Sequence, residues 1–315
     1  MRKIYFILLS LLSIPITAVA QEDLLNSLEK DLPTSKALTV ASFKGTRLIN
    51  LHTVETLGKG SLDFRISHRF GDFSTGANNL WGLDGPATLR LGFDYAVTDR
   101  FTIGIGRSSY GKMFDGFLKY RLLRQTQNND IPLSMSAVVS MNITSEIDPN
   151  KSINGFDRYE YFSSRISYFS QLMFARKFGD KVTIQISPIW IHYNLVQNLN
   201  DKNDMFSLGG SGKFKITRSL SLTGEYVLRV SKYTVQQSSL YHNTASIGID
   251  IETGGHVFQV FVTNSNAINE VQVIPYTSTS WSKGQIRLGF NISRVFGIGK
   301  YKKSQQQKNK EEKVW

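Results

Sequence analysis

The sequence has no cysteine and only 7 prolines among its 315 residues. Without cysteine the chain cannot form disulfides, thiolate metal sites, a cysteine nucleophile or a lipidated N-terminal cysteine. It also has only one long apolar run, residues 4–14, which excludes a protein with several membrane-spanning helices. A membrane β-barrel is compatible with these absences, because its strands alternate polar and apolar residues.

The N-terminus has the three regions of an export signal. Arg2 and Lys3 are basic, residues 4–14 are apolar but too short to span a bilayer, and Ala18-Val19-Ala20 supplies small residues. We therefore expect residues 1–20 to be a signal peptide that is removed on export. A buried N-terminal helix is the less favoured alternative.

From residue 61 onward, apolar and polar residues alternate in twelve segments of about 9 to 13 residues. In the first segment, Leu62 and Phe64 share one parity, whereas Asp63 and Arg65 hold the other. Successive side chains of a strand point to opposite faces, and a tilted strand needs roughly 9–11 residues to cross the hydrocarbon. The pattern predicts an all-β fold, a transmembrane antiparallel up-and-down β-barrel of about 12 strands over residues 61–298.

The connections between these segments alternate in length. Short turns such as Thr98–Arg100 and Gly179–Lys181 follow even-numbered segments, and most odd-numbered segments are followed by long connections such as Gly71–Pro86 and Ser145–Ser164. Outer-membrane barrels have short periplasmic turns and long extracellular loops. The sequence therefore predicts an outer-membrane location with both termini periplasmic. A secreted β-sandwich is less favoured, because its strands are usually about five or six residues long.

The two ends of the mature chain differ from the middle. Residues 21–60 lack clean alternation, and we expect a periplasmic or lumenal N-terminal segment there, because a thirteenth strand would break the hairpin pattern. Residues 299–315 contain six lysines and two glutamates, which is typical of a basic, disordered periplasmic tail. Nucleic acid is not expected as its partner, because an exported protein rarely meets it.

Two smaller patterns concern the strands themselves. In Phe101–Ser108, alternating glycines are expected to leave room on the lumenal face, because no helix follows that would make a nucleotide-binding fingerprint. Aromatic residues near the strand ends predict interfacial girdles. The predicted girdle residues are Phe70, Trp190 and Tyr193 on the outer side and Tyr95, Phe101, Phe178 and Phe296 on the inner side.

Several stretches resemble a known family. They are FKGTRLIN (Phe43–Asn50), LDFRISHRFG (Leu62–Gly71), LRLGFDYAVTDRFTIGIGRS (Leu89–Ser108), DGFLKYRLLRQ (Asp115–Gln125) and RLGFNISRVF (Arg287–Phe296), together with the Trp81–Asp84 loop. They are similar to a porin-like family of Gram-negative outer-membrane β-barrels that is catalogued as a domain of unknown function. The resemblance covers roughly residues 40–297. It implies an outer-membrane barrel and carries over no activity or site, and the basic tail departs from the family pattern.

The polar parity of the strands predicts a basic lumen. Rings of Arg and Lys favour anions, and the planar guanidinium suits carboxylate or phosphate groups. We therefore expect a narrow channel for small anionic or sugar-like solutes. The predicted lumen-lining residues for binding and selectivity are Arg65, Arg69, Arg90, Lys119, Arg121, Arg165, Lys213, Arg229, Arg287, Asp63, Asp94 and Glu225.

Two other classes stay open. One is a closed structural barrel, or an adhesion or anchoring barrel, whose lumen is filled by salt bridges and by the N-terminal segment. An outer-membrane hydrolase is less favoured because no catalytic motif surrounds the five histidines. We expect no enzyme activity, cofactor or metal site. The expected partners are outer-membrane lipid, the barrel assembly machinery and small anionic solutes, with the oligomeric state open. In the closed barrel, we expect salt bridges of Arg65, Arg90 and Arg229 with Asp63, Asp94 and Glu225.

Overall fold

The computed structural model describes residues 38–148, 157–196, 201–231 and 240–298. The predicted signal peptide, residues 1–20, and the predicted tail, residues 299–315, lie outside the described residues. The barrel and the segments within it belong to one compact unit that begins at Thr39.

Twelve strands form a closed antiparallel barrel in which each strand pairs with its neighbours in sequence and β1 pairs with β12. The prediction of a twelve-stranded up-and-down barrel is therefore confirmed. The strands are β1 (Ser61–Arg69), β2 (Thr88–Ala96), β3 (Phe101–Ser108), β4 (Met113–Leu123), β5 (Ser134–Thr144), β6 (Ile166–Phe178), β7 (Val182–Tyr193), β8 (Asp204–Lys215), β9 (Leu220–Arg229), β10 (Thr244–Thr253), β11 (His256–Thr263) and β12 (Arg287–Gly297).

The closing pair keeps a continuous register from Ser61 opposite Gly297 to Arg69 opposite Gly289. Elsewhere the ladders are regular, with a bulge in β4 between Arg121 and Leu123. Closure gives every strand two partners, as a sheet in hydrocarbon requires, because unpaired backbone groups there cost several kcal/mol. The two ends of the barrel differ: most short turns lie at one end, the turn rim, and most long connections at the other, the loop rim.

Helical structure in the described residues is short and lies in the connections. One α-helix, α1 (Glu270–Tyr276), lies between β11 and β12. No described helix is long and apolar enough to cross a membrane. The single-turn or two-turn 3₁₀ helices are Phe73–Thr75, Ala77–Gly82, Tyr110–Lys112, Phe162–Arg165 and Trp281–Lys283.

Apolar side chains cover the outside of the barrel, as the alternation predicts. In β1 every second residue is buried, starting from Ser61, and the outward residues Ile105, Val139 and Ile186 are exposed. An outward apolar band of this kind is typical of a barrel whose outer surface is covered by lipid. One girdle residue is corrected: Tyr193 lies on the lumenal parity of β7 and packs against the interior core instead of facing outward.

The inner face also contains apolar residues and two closely covered glycines. Buried inward residues include Phe117, Phe169 and Phe261. A Cβ atom added at Gly104 would overlap the Phe117 ring, and one added at Gly106 would overlap the Arg90 guanidinium. The expectation that these glycines leave room on the lumenal face is confirmed.

Replacing Gly104 by Ala should therefore destabilise the barrel. The Phe117 ring is buried and cannot move into solvent, so we expect a loss of about 1–3 kcal/mol in the free energy of unfolding. Denaturant unfolding followed by the heat-modifiable gel shift measures this loss. At the outward Gly116 the nearest atom to an added Cβ is 4.0 Å away, so Gly116→Ala is the matched control. Equal stability of the two variants would contradict the inward packing.

Candidate functional site

The lumen contains a hairpin made by the chain's own N-terminal segment. We call residues 42–54 the lumenal hairpin. Within it Arg47 and His52 form an antiparallel bridge, and the Leu48 N–H donates to the Leu51 carbonyl at 3.0 Å. Leu48, Leu51 and Val54 are at most 1% exposed, so the barrel wall encloses the hairpin.

Apolar contacts hold the hairpin against one side of the wall. Phe43, Leu48 and Leu51 belong to the same buried cluster as inward residues of the strands. These strand residues occupy inward-facing positions that are otherwise polar. Apolar residues at such positions are the feature of the sequence that indicates a packed lumen. The inward apolar residues of the cluster are Met113, Phe117, Val138, Phe169, Met173, Ala175, Ile189, Ile191, Met205, Val227 and Phe261.

Polar wall residues bind the backbone of the hairpin. The Glu225 carboxylate accepts from the Asn50 N–H at 3.2 Å, from the Leu51 N–H at 3.0 Å and from the Asn50 Nδ2 at 2.9 Å. The Gln185 Oε1 accepts from the Val54 N–H at 2.9 Å, and its Nε2 donates to the His52 carbonyl at 2.8 Å. The wall thus supplies partners that a strand would otherwise provide.

The connection between β11 and β12 also enters the barrel, from the loop rim. Asn269 caps α1 by accepting from the Val271 N–H, and its Nδ2 donates to the Asn142 Oδ1 at 2.9 Å. Val271, Val273 and Ile274 of the helix are at most 1% exposed. The seven-residue helix is therefore a second element that fills the lumen.

The two elements meet at Glu270. Its carboxylate forms an ion pair with the Arg47 guanidinium and lies 3.4 Å from the His52 Nε2. The side chains of all three residues are at most 7% exposed. A buried ion pair is strongly destabilised when one partner is removed, so this contact couples the hairpin to α1.

The predicted lumen-lining residues of the barrel centre point inward but are covered. Arg65 pairs with Asp63 at 3.2 Å, as expected for a closed barrel, and also donates to the Thr46 Oγ1 at 3.1 Å. Lys119 donates to the carbonyls of Thr46, at 3.1 Å, and Glu55, at 2.6 Å. The structure corrects the expectation of an open Arg- and Lys-lined lumen, because these cations bind the hairpin instead of facing water.

Two expected pairings are also corrected. Arg90 pairs with Asp115, with the Nε to Oδ1 distance at 3.0 Å, and not with Asp94. Asp94 is 3% exposed and has no ion pair among the described residues. Glu225 binds the hairpin and not Arg229, which donates to the Tyr241 carbonyl. The inward residues that lie next to each other depend on the stagger of the strands around the barrel. The alternation of polar and apolar residues does not determine that stagger.

The remaining candidates divide between the hairpin and the loop rim. Beside the hairpin, the Arg69 guanidinium stacks 4.3 Å from the Phe261 ring centre, Arg121 pairs with Glu55 at 2.9 Å, and the Lys213 Nζ lies 5.7 Å from the Phe43 ring centre. At the loop rim, Arg165 donates to the Glu146 carbonyl at 2.7 Å and Arg287 pairs with Asp72 at 3.6 Å.

A cavity of about 570 Å³ lies at the loop rim above α1; we call it the vestibule. Arg165 and Tyr159 line it, with the guanidinium 4.5 Å from the ring centre. Burial raises the pKa of Tyr159, so its phenol stays protonated. Gln272 on the floor is 8% exposed and its Oε1 has no hydrogen-bond partner among the described residues. The vestibule therefore combines cationic, aromatic and amide groups, although sequence parity predicted only Arg165 of these.

The hairpin should loosen when its main acceptor is removed. Glu225→Ala deletes an acceptor of three N–H groups, and hydrogen bonds to charged groups contribute about 1.5–3 kcal/mol. We expect protection of the Asn50 and Leu51 amides against hydrogen exchange to fall by roughly tenfold or more. Glu252→Ala is the control, because in the described residues that half-exposed carboxylate bonds the Lys44 side chain of the hairpin, at 2.8 Å, and no backbone N–H of the hairpin, and an exposed ion pair contributes little. Unchanged protection in Glu225→Ala would show that this carboxylate does not hold the hairpin.

The comparison with solved structures finds a porin, an outer-membrane channel and LpxR, each at low sequence identity. The KdgM porin is 10% identical with a TM-score of 0.44, over 75% of this chain and 99% of that chain. The COG4313 outer membrane channel from Pseudomonas putida F1 is 14% identical with a TM-score of 0.43, over 77% and 98%. LpxR from Salmonella typhimurium is 13% identical with a TM-score of 0.33, over 76% and 100%. These TM-scores are too low to assign a solute or an activity to this chain.

The sequence itself matches a protein family over most of its length. No curated protein sequence matches the chain. A family model described as "Membrane bound beta barrel domain (DUF5777)" matches residues 43–296, a range that includes all but the first residue of the lumenal hairpin and nearly all of β12. The resemblance to a membrane β-barrel family of unknown function is therefore confirmed, and the chain belongs to this family of membrane-bound β-barrels.

Proposed function

We propose that the protein is an outer-membrane channel for small anionic or sugar-like solutes whose lumen is closed at rest by the lumenal hairpin. One observation carries the proposal: within the described residues, no backbone-to-backbone hydrogen bond joins residues 42–54 to a strand. The hairpin is held by wall side chains and by apolar contacts. It can therefore leave its place without breaking the pairing of any two strands.

Displacement of the hairpin would uncover basic side chains. Arg69 would lose its bond to the Asn50 Oδ1, now 3.1 Å, and Lys119 would lose its bond to the Thr46 carbonyl, also 3.1 Å. Arg65 would lose its contact with Thr46. Cations freed in this way would face the opened lumen and attract anions, which supports an anion preference in the open state.

The vestibule supports the proposed class of solute. The guanidinium of Arg165 can pair with a carboxylate, the Tyr159 ring offers a flat surface for a sugar ring, and Gln272 offers an unpaired amide oxygen. These groups lie at the rim where the long connections meet. On this proposal the solute binds there before it passes the hairpin.

The proposed orientation places the loop rim outside the cell and both termini in the periplasm. The start of β1 and the end of β12 lie side by side at the turn rim, and outer-membrane barrels have their short turns on the periplasmic side. The proposed partners are accordingly outer-membrane lipid and the barrel assembly machinery. We retain residues 1–20 as the proposed export signal and residues 299–315 as the proposed periplasmic tail.

A closed structural or adhesion barrel is the second proposal, and the apolar cluster favours it. Removing the hairpin would expose Phe43, Leu48 and Leu51, together with the wall residues that they cover. Burying one such side chain contributes roughly 1.5–3 kcal/mol, so the resting state opposes opening. A hydrolase remains the least favoured proposal, because the sequence has no recognised catalytic motif.

Conductance of the purified protein in planar bilayers separates these proposals. We expect the wild-type protein to be closed for most of the recording, because its lumen is filled. The double variant Glu225→Ala, Gln185→Ala removes polar wall groups that bind the hairpin and leaves the strands intact. It should open far more often and give a reversal potential of the sign expected for an anion-selective pore.

Glu252→Ala is the control for this recording and should behave like the wild-type protein. If the double variant folds, as judged by the heat-modifiable gel shift, yet never conducts, the channel proposal is wrong and the closed barrel is supported. A cation-selective open state would contradict the proposed role of the basic lumen.

Binding in the vestibule can be measured separately by titration calorimetry with glucuronate and with glucose as the uncharged reference. We expect glucuronate to bind more tightly. Gln272→Leu should weaken glucuronate binding by about tenfold at most, since one hydrogen bond contributes about 0.5–1.5 kcal/mol. Asn128→Ala, in a turn at the opposite rim, should leave the affinity unchanged. Equal binding of the two sugars would remove the support for an anionic solute.

A further inference from the structure

A groove of about 540 Å³ crosses the outer, lipid-facing surface of strands β2 to β5. Its shape follows from the strand register. Phe93 lies opposite Ile105, Ile105 opposite Gly116, and Gly116 opposite Met141. In this cross-strand row only Gly116 lacks a side chain, and its three neighbours in the row are exposed and apolar. The missing side chain makes an apolar gap in the outer surface of the barrel.

The next row toward the loop rim contains a cation. Arg107 lies opposite Leu91 and Phe114, and its guanidinium carbon lies 4.4 Å from the centre of the Phe114 ring. The other outward residues of β3, Phe101, Ile103 and Ile105, are all apolar. Arg107 is therefore a charged residue on a lipid-facing row.

Only some N–H groups of the Arg107 guanidinium bind acceptors within the described residues. Its Nη1 donates to the Ser108 carbonyl at 2.6 Å, and in the described residues it has no acidic partner. A charge on the lipid face is costly unless it reaches the level of the headgroups. Stacked on Phe114 at the end of the strand, Arg107 presents its remaining N–H groups beside the apolar gap.

We infer that this groove binds one phosphate-bearing lipid, with an acyl chain in the gap at Gly116 and the phosphate on Arg107. A guanidinium binds phosphate through two parallel N–H donors, and the groove walls are almost entirely apolar. Because the loop rim faces outward in the orientation proposed above, the occupant is the phosphorylated glycolipid of the outer leaflet. This lipid site is separate from the lumen and goes beyond the proposed channel.

The gap can be filled without disturbing the sheet. An added Cβ at Gly116 has no atom nearer than the Gly104 carbonyl oxygen at 4.0 Å, so Gly116→Leu places a side chain where the acyl chain would lie. Gly210 of β8 provides the matched control. It is also outward and exposed, and the nearest atom to an added Cβ there is the Tyr226 carbonyl oxygen at 3.9 Å.

The test is native mass spectrometry of protein purified in mild detergent from the outer membranes of a Gram-negative host. Wild-type protein and Gly210→Leu should retain one glycolipid per barrel. Gly116→Leu and Arg107→Ala should each lower the bound fraction at least fivefold, whereas Arg107→Lys, which keeps the charge but loses the planar fork, should lower it less. The heat-modifiable gel shift confirms that each variant is folded.

Three outcomes would overturn the inference. Glycolipid occupancy that is the same in all folded variants would show that the groove is not the site. A wild-type protein that carries no lipid would show that there is no specific site. Loss of a phospholipid instead of the glycolipid in Gly116→Leu would show that a different lipid occupies the groove. None of these results depends on whether the lumen conducts.

Discussion

A sheet that lies in hydrocarbon has to close on itself, because no water is present to bind the N–H and C=O groups of an open edge. The pairing of β1 with β12 over the whole of β1 meets this requirement. Closure also has a second consequence, because twelve strands enclose a lumen of fixed and small width. The side chains inside must then be hydrated, paired with one another or covered by other parts of the chain. In this protein the described residues combine the second solution, in pairs such as Arg90 with Asp115, with the third.

Covering the lumen with polypeptide brings new backbone groups into a buried place, and these groups need partners. Polar wall residues such as Glu225, Gln185 and Lys119 meet that need, since they bind N–H and C=O groups of the N-terminal segment. The inward-facing polar residues of the strands therefore bind the chain's own N-terminal segment. The apolar cluster around Leu51 adds the burial that keeps the hairpin in place. Strand pairing and hairpin attachment are thus two separate sets of interactions.

The strands could be predicted from the sequence because a barrel strand has two environments and therefore a period of two. The same parity placed Arg65, Asp63 and Lys119 correctly on the inner face. It could not assign Arg90 to Asp115, because that contact depends on the stagger of β2 and β4 around the barrel. The lumenal hairpin also has no period, since it is buried on all sides. The lack of alternation over residues 21–60 left a periplasmic and a lumenal position open, and apolar residues such as Phe117 and Phe169 at inward positions of the strands are the trace that favours the lumen.

The contact between Arg47 and Glu270 joins the two elements that fill the lumen, the hairpin and α1. If the hairpin left alone, Glu270, whose side chain is 3% exposed in the closed lumen, would lose its cation, and removing one partner of a buried ion pair is strongly unfavourable. The contact therefore favours a joint movement of the hairpin and α1. The floor of the vestibule belongs to the same helix, because Val271 and Gln272 directly follow Glu270. On the proposed function, a solute bound in the vestibule thus contacts the helix whose first residue holds the hairpin closed.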